Sequence, residues 1–204
     1  MNKMKILAFS DLHSSAAAIK SIEKKAKSAD IIVCAGDFTF FEQGMRQVLR
    51  RLNAIGKTVL IVHGNHESEE RARASSRGLK NLVFIHKGEY RKNELLFIGY
   101  GGGGFSLRDR GLEGFVKKYA KKGKNLIFIT HAPPYKTRLD YIYGSHRGCK
   151  STRDFIDKAQ PLIVICGHFH ETAGMKQEIG KTLVVNAGPK GIILKIGSQL
   201  PLKI

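Results

Sequence analysis

Apolar residues in this chain fall into short β-branched runs, separated by stretches in which apolar positions recur at helical spacing. The runs at 6–9, 31–34, 58–62, 82–85, 95–98, 125–130 and 162–166 predict strands, because β-branched and aromatic side chains suit a pleated, buried surface. Between them, residues 16–27, 41–55, 69–76, 112–122 and 151–159 predict amphipathic helices. Ser14 or Ser15 can cap the first of these and Pro161 stops the last. The tail alternates turns with strands at 174–179, 182–186 and 192–196. Strand and helix in alternation predict an α/β fold, a four-layer α-β-β-α sandwich with two mixed sheets flanked by helices. A single domain over residues 1–204 is expected, since 204 residues with 42% hydrophobic content can bury a full core.

Each of five runs ends in Asp, Asn or His. The first leads into Asp11 and His13, the second into Asp37, the third into Asn65 and His66. The run at 126–129 meets His131, and the one at 162–166 meets His168 and His170. Side chains at the carboxyl ends of neighbouring strands share one crevice, so these oxygen and imidazole donors can surround a metal centre. Asp11 and His13 are two residues apart, as are His168 and His170, and in extended backbone such pairs point the same way. Gly36 permits a sharp turn that suits Asp37 to bridging two cations. Asn65 offers an amide oxygen without negative charge that would repel phosphate. His131 is held before the stiff segment Ala132-Pro133-Pro134.

Charge adds an anionic partner to this picture. The formal net charge is +18; its plain reading is a solvated face at helical spacing, and its functional reading is steering of anions, phosphorylated substrates or nucleic acid toward a cleft. No apolar run near the start is long enough for a signal peptide or a membrane span, so no membrane partner is expected. Cys34, Cys149 and Cys166 form no CxxC pair, which points to reduced thiols and a cytoplasmic location. His63 is expected to pack behind the site, His86 to lie on the surface, and His146 to serve a polar loop. Gly101 to Gly104 predict a tight turn. Arg108, Arg110, Arg138 and Arg147 are candidates for gripping substrate beyond its scissile phosphate, and Tyr135, Tyr141 and Tyr143 are expected to pack within loops.

In order, Asp11-Leu12-His13, Gly36-Asp37, Gly64-Asn65-His66-Glu67, Thr130-His131 and Gly167-His168-Phe169-His170 resemble the calcineurin-like metallophosphoesterase superfamily, over roughly Met4 to Pro189. Gly36-Asp37-Phe38-Thr39, Ala132-Pro133-Pro134 and Asn186-Ala187-Gly188-Pro189 look most like its small Icc-related predicted phosphoesterases. The resemblance implies a hydrolase acting on ester bonds, a dinuclear metal-dependent phosphoesterase. Asp11, His13, Asp37 and His170 would hold one divalent ion, and Asp37, Asn65, His131 and His168 the other. A bridging hydroxide would attack a phosphodiester in preference to a phosphomonoester, with His66 protonating the leaving oxygen or stabilising the transition state. Manganese is the favoured ion, with Fe, Ni, Zn or Co also compatible with these donors. The substrate implied is a phosphorylated small molecule or nucleotide. Two other readings stand beside it: a nucleic-acid-binding protein or nuclease, and a non-catalytic interaction scaffold of the same fold.

Overall fold

In the computed structural model, which describes residues 4–197, the apolar runs become the strands of two sheets. The chain passes through β1 (Met4–Phe9), α1 (Ala16–Ala26), β2 (Ile31–Ala35), α2 (Met45–Ala54), β3 (Val59–Val62), α3 (Glu69–Ser76) and β4 (Leu82–Phe84). It continues through β5 (Gly88–Lys92), β6 (Leu95–Tyr100), α4 (Arg110–Val116), β7 (Leu126–Thr130) and the short pair β8 (Tyr141–Ile142) and β9 (Ser145–His146). Then come α5 (Lys150–Ala159), β10 (Ile163–Cys166), β11 (Lys176–Ile179), β12 (Thr182–Asn186) and β13 (Ile192–Ile196).

The first sheet has the order β13-β1-β2-β3-β4, parallel except for β13 at its edge. The second runs β11-β12-β10-β7-β6-β5, with a parallel centre and antiparallel strands at both edges. Successive residues in a strand face opposite sides, so each central strand feeds two cores. Ile6, Val33 and Leu60 pack against Phe97, Ile127 and Ile165 between the sheets. Leu7, Ile32 and Ile61 face Ile19 and Ile22 of α1 and Leu49 and Leu52 of α2. On the far side, Phe128 and Val164 meet Leu112 of α4 with Phe155 and Ile156 of α5. Burial on both faces explains the unbroken apolar runs of the central strands, and the four expected layers are present.

Three local differences separate the structure from the expected elements. The helix expected from residue 41 begins at Met45, because Phe41, Glu42 and Gly44 adopt left-handed φ values of 46°, 64° and 64°. The helix expected over 112–122 ends at Val116 and tightens into a short 3-10 turn. β5 carries no apolar run: it is a polar, half-exposed edge strand whose register is set by its hairpin with β6. Ser15, rather than Ser14, caps α1 by accepting a hydrogen bond from the Ala18 amide at 3.3 Å.

Candidate metal centre

β1, β2, β3, β7 and β10 all deliver their carboxyl ends to one edge of the sandwich, and backbone bonds tie the loops beyond them together. The Asp11 amide donates to Gly36 O at 3.0 Å, the His13 amide to Asp37 O at 3.1 Å, and the Gly167 amide to His131 O at 3.0 Å. The side chains converge by left-handed turns, not by strand alternation as the sequence suggested, because β1 stops at Phe9 and β10 at Cys166. Asp11, His13, Asp37 and His168 have φ of 56°, 45°, 51° and 74°. Asp and His tolerate this region better than most residues, but each such residue still costs on the order of 1 kcal/mol. Strain of this kind concentrates where the fold holds side chains for a purpose. Gly64 is required for a steric reason: a Cβ there would overlap Asp37 Oδ1 and lie 2.5 Å from the Asp37 nitrogen.

Three groups of donors result, each with its atoms within 4.8 Å: Asp11, His13 and His170; His13, Asp37 and His66; Asp37, His131 and His168. His13 and Asp37 each belong to two groups, so the three merge into one cluster. Asn65 joins it, with Oδ1 2.9 Å from His131 Nε2 and 2.8 Å from His168 Nδ1. All seven residues expected to bind metal are therefore brought together. His66, expected as a non-ligand, also falls within donor reach of His13 and Asp37.

Hydrogen bonds aim these donor atoms into the crevice. His131 is fully buried and its Nδ1 donates to Ala35 O at 2.8 Å, which turns its Nε2 toward the crevice. Facing it lie Asn65 Oδ1 at 2.9 Å and Asp37 Oδ2 at 3.3 Å, both acceptors for a proton on Nε2. His13 Nε2 and His170 Nε2 face each other at 3.0 Å, with one ring donating to the other. A cation in place of those protons would meet imidazole, carboxylate and amide donors together, a mixture that suits a divalent ion. Burial pulls the His131 pKa down, yet the Asp37 carboxylate bonded to it lifts the ring to about 9. Burial raises the Asp37 carboxyl, but His131 and His66 hold it at about 2. His168 is pushed down to about 4 by burial and by His131, and His13 is lowered chiefly by burial.

Several residues around the cluster were not singled out by sequence. Glu67 is buried, and its two oxygens accept from the amides of Asp37 at 3.1 Å, Gly64 at 2.9 Å and Thr39 at 2.7 Å, and from Thr39 Oγ1 at 2.8 Å. It locks the Asp37 loop to the Gly64 loop. Burial and the nearby Asp37 charge push its pKa up to about 7 while those hydrogen bonds pull it back. Glutamine at this position has one accepting oxygen and leaves buried donors unpaired, so Glu67→Gln should destabilise the protein by about 1–3 kcal/mol. Urea unfolding checks this, and an unchanged midpoint contradicts it.

Exposed aromatic rings border the crevice on two sides. Phe40 and Phe41 are 47% and 64% exposed and sit 5.3 and 4.4 Å from the His66 ring. Phe105, 82% exposed, lies 5.5 Å from the His168 ring. The Gly101 to Gly104 turn brings the backbone against His168 so closely that a Cβ on Gly104 would clash with its ring. His63 packs behind the site as expected. His86 does not lie on the surface: it is buried, its Nδ1 accepts from the Gly101 amide at 2.8 Å, and its Nε2 is 3.0 Å from Glu69. His146 is held by the buried Asp140 at 2.8 Å, and Arg108 is engaged with Glu113 and Asp154 at 2.9 Å each. Tyr141 and Tyr143 point outward instead of packing.

A mixed α/β sandwich with Asp and His clustered at the carboxyl ends of its central strands has the architecture of metal-binding phosphoesterases. The family model for calcineurin-like phosphoesterases matches residues 4–172, and the chain belongs to that family. It is 30% identical over 201 residues to the uncharacterised protein MJ1162 of Methanocaldococcus jannaschii, covering 92% of this chain and 89% of that protein. Its fold is similar to that of TT1561 of Thermus thermophilus, with a TM-score of 0.72 at 18% identity over 91% of this chain and 89% of the other. A dimetal phosphatase from Danio rerio has a TM-score of 0.63 at 13% identity over 90% and 86% of the two chains. Among the described residues, no helix is long and apolar enough to cross a membrane.

Proposed function

We propose that the chain hydrolyses phosphoester bonds in a metal-dependent reaction and prefers diesters to monoesters. The observation that carries this reading is the convergence of seven donors on one crevice. Asp11, His13, Asp37 and His170 would hold one divalent ion and Asp37, Asn65, His131 and His168 a second, with Asp37 shared. Bound there, such ions neutralise phosphoryl charge and acidify water to a nucleophile.

The chain's own residues shape the remainder. Asn65 contributes oxygen without adding charge against an incoming phosphate. His66 Nδ1 accepts from the Phe41 amide at 3.4 Å, so the neutral ring carries its proton on Nε2, 3.8 Å from Asp37 Oδ2 in the crevice. That proton is placed to pass to a departing oxygen or to hydrogen-bond a phosphoryl oxygen. Phe40 and Phe41 beside His66 and Phe105 beside His168 offer apolar surface on two sides of the site. A diester has a substituent for each side, whereas a monoester has one. All seven donor positions are retained, which favours catalysis over a scaffold role. The buried, free thiols of Cys34, Cys149 and Cys166 support a reducing, cytoplasmic setting.

Protein loaded with manganese is expected to hydrolyse bis(p-nitrophenyl) phosphate with a higher kcat/KM than p-nitrophenyl phosphate. EDTA should remove the activity and fresh metal restore it. The opposite substrate order refutes the diester preference, and inactivity toward both by metal-loaded protein refutes the reading itself.

A further inference from the structure

We propose that the arginine-lined groove between α2 and α3 binds single-stranded nucleic acid and leads it to the metal crevice. This rests on the phosphoesterase reading above and names its substrate class. The groove has a volume of about 680 Å³ and is lined by Arg46, Arg50, Arg51 and Arg71, with Glu42 as its one acidic residue. Its formal charge is thus +3 within a chain of net charge +18.

The arginines are arranged at a cost to the helix that bears them. Arg46 and Arg50 are spaced i, i+4, where like charges repel, and no acidic residue in the first turn offsets Arg46 at the positive end of α2. Arg50 is exposed and has no side-chain hydrogen bond or ion pair among the described residues. Arg46 braces the walls, since its Nη1 donates to Ser75 O at 2.6 Å and Arg77 O at 3.0 Å. Arg51 pairs with Glu23 at 2.8 Å and keeps part of its guanidinium exposed.

The chain itself joins the groove to the candidate active site. Glu42, in the groove lining, accepts from the Ser68 amide at 2.8 Å and pairs with Arg71, which neutralises its charge locally. The preceding residue is Phe41, whose ring lies 4.4 Å from His66, with Phe40 4.8 Å beyond it. A positive track that follows a backbone, ending in exposed rings on which bases stack, is the physical basis of sequence-tolerant recognition of single strands. A mononucleotide fills the crevice and leaves the track unused, whereas an oligonucleotide engages both.

Fluorescence anisotropy with a labelled oligothymidylate of about twelve nucleotides tests this, at about 50 and about 200 mM salt. Wild-type protein is expected to bind and to weaken steeply with salt. Gln47→Glu with Arg50→Glu cancels the groove charge at two exposed positions. It should weaken binding at least about tenfold and flatten the salt slope by roughly two to three, with bis(p-nitrophenyl) phosphate hydrolysis unchanged. Phe41→Ala should weaken binding at least about fivefold. Lys20→Glu with Lys24→Glu on α1 should change it less than about twofold.

Equal loss in the α1 variant means diffuse charge attraction and overturns the proposal. Binding of anionic phosphatidylserine vesicles that depends on Arg50 but not on Phe41 makes the groove a membrane site and overturns it too. A wild type that hydrolyses the small diester but does not bind the oligonucleotide refutes the groove alone. One that binds through the groove but hydrolyses neither substrate sinks the phosphoesterase reading instead.

Discussion

Asp37→Asn is expected to abolish metal-dependent hydrolysis, by about three orders of magnitude or more, and to leave the purified protein with little bound metal. The substitution is nearly isosteric, and Oδ1 can still accept from the His66 amide at 2.9 Å, so the loop keeps its shape. What disappears is the charge that Asp37 presents to two donor groups at once. That carboxyl, held at about 2, is ionised at any working pH and accepts from Nε2 of His131 at 3.3 Å. Without it, the hydrogen bond and Coulomb attraction that lift His131 to about 9 are lost and burial drives its pKa down. Elemental analysis together with thermal melting separates this from misfolding: metal content should fall while the metal-free melting temperature stays within a few degrees of wild type. Retained metal with full activity contradicts the shared role of Asp37.

His66→Ala is expected to lower kcat by about 10² to 10⁴-fold while metal content is preserved. The ring lies beside His13 and Asp37, within donor reach, so position alone allows it to be a ligand or a proton donor. Its tautomer favours the second role, because Phe41 N occupies Nδ1 and the proton faces the crevice on Nε2. A proton donor matters least when the leaving group is already a weak base. The loss should therefore be smaller for a p-nitrophenyl diester than for an alkyl or nucleoside diester. A uniform loss across leaving groups, accompanied by loss of metal, would make His66 a ligand.

The donors were legible in the sequence because each follows a strand, and strand ends in a parallel sheet are brought together by topology. Their approach was not. Asp11, His13, Asp37 and His168 reach the crevice through left-handed backbone, which periodicity does not reveal. Glu67 is visible as a neighbour of His66, yet its partners Asp37 and Thr39 lie 30 and 28 residues away, so its role emerges only from the paired loops. The start of α2 departs from its apolar pattern for a related reason: residues 41–44 carry a helical pattern but serve to set Phe41 against His66 and Glu42 against Ser68. β5 escapes detection because an edge strand with polar side chains needs no apolar run. His86 looks superficial in sequence because its burial depends on Gly101 and Glu69, not on its own neighbours along the chain.

Anomalous diffraction from crystals soaked in manganese tests the central claim most directly. Two peaks are expected, one bounded by Asp11, His13, Asp37 and His170 and the other by Asp37, Asn65, His131 and His168. Crystals that diffract well after soaking yet show no peak in this crevice, or peaks only at other side chains, would contradict the account.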